Sequence, residues 1–291
     1  MYAQHLDSLD LDSTKLDTLK SSNWKLKSLH SLNGTQSSFV NWNAGGRNNI
    51  SLNASVRASA TFNKEKWNWS NDLSLAFGGI KYLDESEVIM YQKTDDKIDL
   101  SSMLGIRISK KYLISLNAGF KTQFADGFNY PNDSIAISKF MAPGYMNLAL
   151  GTDYVKDANF SVFGSPFAAK TTFVMDDSLS QIGSFGVEKG ERVRHEFGAF
   201  VKLKWNAELM KNIEMKSKLE LFSNYLNNPQ NIDVNAELVF VFRVNSLFSA
   251  TAQWNLIYDD DIQIRDIDGN VGPRTQFKSV LGIGISYKLE N

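Results

Sequence analysis

Side-chain catalysis needs a nucleophile or a proton carrier held by its neighbours, so the three histidines come first. His5 and His30 lie in an opening stretch rich in Asp, Ser, Lys and Leu, and His195 is followed by Glu196 and Phe197. The chain has no H-x-S and no G-x-S-x-G. His195 therefore reads as an interface residue rather than a catalytic base, although a nucleophile on a neighbouring strand would be invisible in the sequence. Asp266, Asp268 and Asn270 copy the start of a calcium loop, but Val271 stands where that loop needs Gly and no Glu closes it. A solvated turn is the reading preferred there. With no Cys, thiolate nucleophiles, thiolate zinc sites and disulfides are excluded. No catalytic site, metal or cofactor is expected; an outer-membrane lipase or acyltransferase stays as the minor alternative.

The remaining charged residues have a different pattern. The formal net charge is -1, which gives no electrostatic case for nucleic acid. Many charges recur at spacing two: Lys202 and Lys204, Lys216 and Lys218 with Glu220, Asp99 with Arg107 further along. Spacing two puts residues on one face of a strand. Such a face is positioned by β-structure, so the strands have to be found.

From Gln36 onward the period is two. Ile98, Leu100, Leu104, Ile106 and Ile108 share one face, against Lys97, Asp99, Ser101, Gly105 and Arg107. Strands are expected at 36–43, 48–62, 67–82, 97–109, 112–124, 144–154, 160–175, 191–206, 211–224, 231–243, 248–259 and 275–288. The seventh loses phase at Gly164 and Pro166, which reads as a bulge. Connections alternate, with short ones at 63–66, 110–111, 156–159, 208–212 and 245–246. The long ones fall near 83–96, 125–143, 176–190 and 260–274. No stretch approaches the roughly 20 apolar residues of a membrane helix. Short turns on one side and long loops on the other are instead the asymmetry of outer-membrane barrels. Aromatics fit as well. Trp67, Trp69, Phe62, Trp205 and Tyr287 point outward at the short-turn ends, and Phe124, Tyr225, Tyr258 and Phe277 at the long-loop ends. The expected fold is all-β: an antiparallel up-and-down transmembrane β-barrel of about twelve strands, with periplasmic turns and extracellular loops. Residues 1–33 are expected as a flexible periplasmic arm, with a signal-peptide remnant at 1–4, and 34–291 as the barrel.

In that phase Arg57, Asp72, Asp99, Arg107, Lys121, Asp153, Glu196, Lys202, Lys204, Lys216, Lys218, Glu220, Asp233, Glu237 and Lys278 face the lumen. Two readings follow. The charges pair and close a narrow lumen, or they line a solute pore in which the four lysines on two neighbouring strands favour anions. A structural or accessory barrel in an envelope complex is the alternative to a pore. The partners expected are outer-membrane lipid, the barrel-assembly machinery and other envelope proteins.

Long segments resemble one family. They are "SSFVNWNAGGRNNISLNASV" (37–56), "KTDDKIDL" (93–100), "YPNDSIAISKFMAPGYMNLALGTDY" (130–154), "FSNYLNNPQNIDVNAEL" (222–238), "NLIYDDDI" (255–262) and "VGPRTQFKSVLGIGISYK" (271–288). The chain resembles, over about residues 36–288, the domain of unknown function 3078 of Bacteroidota. The resemblance implies a barrel in the Gram-negative cell outer membrane and brings no catalytic residues. One departure is the tail: members tend to end near "SYKF", whereas here Leu289, Glu290 and Asn291 follow.

Overall fold

The structure is a computed structural model and describes residues 23–38, 40, 47–83, 91–265 and 269–290. Its strands run in chain order as β1 (Trp24–Ser37), β2 (Asn49–Lys64), β3 (Trp67–Tyr82), β4 (Gln92–Arg107) and β5 (Tyr112–Thr122). A small hairpin, β6 (Gly127–Phe128) and β7 (Ala136–Ser138), precedes β8 (Gly144–Val155) and β9 (Phe160–Phe173). The helix α1 (Asp177–Gln181) and a 3-10 turn (Ser184–Gly186) lead to β10 (Val193–Met210), β11 (Ile213–Asn224), β12 (Asp233–Arg243) and β13 (Phe248–Tyr258). A second hairpin, β14 (Gln263–Arg265) and β15 (Val271–Pro273), precedes β16 (Gln276–Glu290). No described helix is long and apolar enough to cross a membrane.

Twelve of these strands close into one antiparallel ring, in the order β1-β16-β13-β12-β11-β10-β9-β8-β5-β4-β3-β2. Strict alternation drives the closure. Leu100, Leu104 and Ile106 lie outside and exposed, while Asp99, Ser101 and Met103 lie inside and buried. Exposed apolar side chains continue around the ring through Ile114, Leu116, Leu148, Leu150, Val201, Leu256, Leu281 and Ile283. A water-soluble sheet would not leave so continuous an apolar belt uncovered; a barrel in lipid requires one.

The first strand needs a correction. The alternation pointed to 36–43, but β1 spans Trp24–Ser37, so its first ten residues belong to what was expected as the arm. Residues 41–43 lie outside the described residues. The reason is closure: the free edge of β16 must be paired, and β1 pairs with it from Lys27↔Glu290 to Asn33↔Gly284. Ser28 and His30 interrupt the apolar outer face of β1, which hid its period. The first connection consequently spans 38–48, on the same side as the other long loops. The structure also starts β4 at Gln92, five residues earlier than expected.

The seventh strand, β9, carries the bulge. On β8 its register shifts between Leu150 and Thr152, and on β10 between Gly198 and Phe200. Ser165 Oγ donates to Leu150 O at 2.7 Å and accepts from Phe167 N–H at 3.1 Å. These bonds organise the backbone around Pro166, which has no N–H to give. The extra residue lets Phe163 and Ala168 both turn inward.

Candidate functional site

The lumen is the candidate site. Its chemistry begins with Glu237 on β12. Glu237 Oε1 accepts from Arg57 Nη1 of β2 at 2.7 Å, and Oε2 accepts from Lys97 of β4 and from Asn255 Nδ2 at 3.2 Å. Arg57 also donates to Gln253 Oε1 at 2.9 Å. β4 and β12 stand six places apart either way round the ring, so the Lys97–Glu237 pair spans it. Side chains of that length reach only if the opposite walls approach, so the ring is pinched.

From Lys97 the chain of charges continues. Lys97 lies 3.9 Å from Asp99, Asp99 accepts from Lys218 at 2.9 Å, and Lys218 lies 3.4 Å from Glu220. Glu220 accepts from Lys121, and Lys202 lies 3.8 Å away from it. Lys202 is only 2% exposed; it donates to Ser101 Oγ at 2.5 Å and Asn117 Oδ1 at 3.3 Å. Lys204 turns instead to Asp72 of β3. The lysine stripe is therefore divided among acids and hydroxyls of the facing wall. Lys216 alone of the four makes no hydrogen bond or ion pair among the described residues.

Towards the long loops lies a second cluster. Lys170 bonds Asp233 at 2.5 Å and Asp259 at 2.8 Å, with Glu196 at 3.5 Å. Arg194 bonds Glu196 at 2.7 Å and lies 3.1 Å from Asp261. Lys278 donates to Asp95 at 2.7 Å, and Asn53 donates to the other oxygen of that carboxylate at 3.1 Å. Carboxylates of Asp233, Asp259 and Asp260 gather within 4.8 Å of one another. Lys170 and Asn231 already serve them, the latter donating to Asp260 at 2.5 Å. Asp266 and Asp268 lie outside the described residues.

Between the charges sits apolar filling. Met103, Ala149, Phe163, Ala168, Phe200 and Phe222 form one buried cluster inside the ring, with the Phe163 and Phe200 rings 6.2 Å apart. A lumenal cavity beside Arg57 and Lys97 measures about 30 Å³, room for one or two waters. Asp153 is buried between Leu113 and Phe163, and its Oδ1 has no hydrogen-bond partner. Arg107 sits at the short-turn mouth and donates to the Lys110 carbonyl at 3.0 Å rather than to an acid.

The expected lumen set left out Lys97, although it shares the face of Asp99, and also Lys170, Arg194, Asp95 and Asp259. Lys170 lies beyond the Pro166 bulge, where the phase is lost. Asp259 belongs to a loop with no period. Asp95 stands on β4 before its expected start, four places before Asp99 on the same face, and Arg194 two before Glu196, so counting back by two would have found both. Both described histidines face outward. His195 Nδ1 lies 3.1 Å from Thr171 Oγ1, and His30 Nε2 lies 3.1 Å from Ser28 Oγ. Neither ring has a carboxylate partner among the described residues.

Residues 35–128 match the family model described as "Protein of unknown function (DUF3078)". No curated protein matches the chain. Among solved structures, it is similar to the COG4313 outer membrane channel from Pseudomonas putida F1, at 11% identity and TM-score 0.39, covering 98% of this chain and 100% of that one. It is also similar to the NanC porin, at 7% identity and TM-score 0.36, covering 88% and 98%. The translocator domain of autotransporter NalP from Neisseria meningitidis gives 10% identity and TM-score 0.34, covering 94% and 91%.

Proposed function

We propose that this chain is an outer-membrane β-barrel whose narrow, mixed-charge lumen is closed at rest by ion pairs, and that it serves the envelope without catalysis. The observation that carries this is the charge chain from Arg57 through Glu237, Lys97, Asp99 and Lys218 to Glu220, which crosses the ring. A standing anion pore would leave its lysines facing water. Here three of the four are engaged, and apolar side chains fill the space beside them. Closure favours the accessory role over a permanent pore, with other envelope proteins as partners and the assembly machinery needed for insertion.

The apolar belt, the two aromatic girdles and the segregated loops support the membrane. In this reading the long loops are extracellular; a Bacteroidota source rests on the sequence resemblance alone. The test is labelling of intact cells. A cysteine at exposed Ser134 should react with an impermeant thiol reagent from outside, and one at Asp157 in a short turn should react only after the outer membrane is permeabilised. The reverse pattern overturns the orientation, and a protein recovered soluble without detergent overturns the membrane. Catalysis is tested separately: His195→Ala should leave turnover of added lipid unchanged, and His195-dependent turnover would restore the enzyme.

A further inference from the structure

The outer wall holds a groove that lumen closure leaves unexplained. Phe248 faces Ile285, Ile285 faces Leu32, Leu32 faces Ala54 and Ala54 faces Phe77 across successive strands. This row is oblique. Phe248 opens β13 directly after a short turn, whereas Phe77 packs edge-on against Phe124, beyond the far end of β5, with rings 6.4 Å apart. A groove of about 390 Å³ follows it, lined by Leu32, Ala54, Val56, Leu75, Phe77 and Tyr287 among others. Small Ala54 forms its floor and the larger side chains its banks. That volume is in the range of about 300–1,000 Å³ typical of small-ligand sites.

On its outer face the lining is apolar except for His30 and the hydroxyl of Tyr287, which face each other on the flank nearer the short turns. An ionisable side chain turned toward lipid is rare and marks a site. The Nε2 of His30 is tied to Ser28 Oγ at 3.1 Å, and its other ring nitrogen has no partner among the described residues.

We propose that this groove binds one acyl chain of a glycerophospholipid from the leaflet on the short-turn side, with the bonded His30–Ser28 pair donating its remaining proton to a headgroup oxygen. The proposal rests on the membrane reading above. The groove is elongated, apolar and open sideways, as a chain requires, and an imidazole or hydroxyl donor at one flank suits phosphate or glycerol oxygens.

The full chain, purified in detergent and exchanged into fresh detergent, should retain one phospholipid per barrel by native mass spectrometry. Ala54→Trp fills the floor and should lower retention about tenfold; Ala54→Met is the milder form should the first variant fail to fold. Ala236→Trp, an equivalent enlargement of the outer face of β12, should retain the lipid. His30→Leu should keep the chain but lose preference among headgroups. Equal retention by wild type and both Ala54 variants overturns the site. So does a folded wild type with no lipid, or with a second copy of the chain in its place. Wild type that is not a heat-modifiable, detergent-requiring barrel would instead overturn the membrane reading.

Discussion

Glu237 takes hydrogen bonds from Arg57, Lys97 and Asn255, so replacing it with Leu strands two cations in a crowded interior. Removing one partner of a buried pair costs about 3–5 kcal/mol. Glu237→Leu should therefore lower the temperature at which the barrel loses its compact gel migration. Arg107→Leu should barely move it, since that guanidinium is exposed and bonded to a turn carbonyl. On the opposite face, Leu116→Arg puts a charge into the belt, where a midplane cation costs about 2–4 kcal/mol. It should reduce the amount of protein inserted, measured in the membrane fraction. Equal tolerance of arginine at Leu116 and in place of inward Lys216 would contradict the phase. That phase was readable at the residue scale, because alternation sorts each side chain to a face without knowledge of its partner. The partners were not readable: Lys97 and Glu237 are 140 positions apart, and only closure of the ring brings them together.

The strands themselves were legible, and the exceptions have physical causes. β1 was hidden because Ser28 and His30 break its apolar face, while closure gives it a place that local pattern does not. Its register places Ser31 opposite Ser286. In a chain without cysteine, Ser31→Cys with Ser286→Cys should form a disulfide, seen as a shift on non-reducing gels. No shift would mean that β1 does not close the ring as described. Loop 174–192 was expected only as long, yet it folds onto Ala142, Val174, Leu179 and Val187, a buried cluster. Asp176 caps α1 through Leu179 N–H at 3.1 Å and pairs with Lys139 at 2.8 Å. The Lys139 hydrogen bond, helped by that backbone donor, holds its carboxyl below the usual range. A depressed folded value adds stability that is present above the ordinary carboxylate value of about 3.9 and is lost as pH falls through the folded value. Protection of this loop against hydrogen exchange, measured relative to the intrinsic rate at each pH, should therefore fall in acid, and Asp176→Ala should lower it already at neutral pH, by losing a cap worth about 0.5–2 kcal/mol. An unchanged loop in both cases would contradict this.

At the scale of the molecule, two networks and an apolar plug turn a twelve-stranded ring into a filled body. A ring of this strand count exceeds the eight strands whose interior side chains just fill, so pinching and charge pairing have to close what strand number leaves open. Sequence alone left pairing and pore as rivals, because both put the same lysines on the same face. The distinction lies in whether acids from the other wall reach them, as Asp72 and Asp99 do. Conductance of the purified protein in a planar bilayer tests this most directly. Wild type should show no steady conductance, and Glu237→Gln combined with Asp99→Asn should open measurable current. A steady, ohmic wild-type current that is anion-favouring and falls when Lys202, Lys204, Lys216 and Lys218 become Gln would contradict the closed lumen.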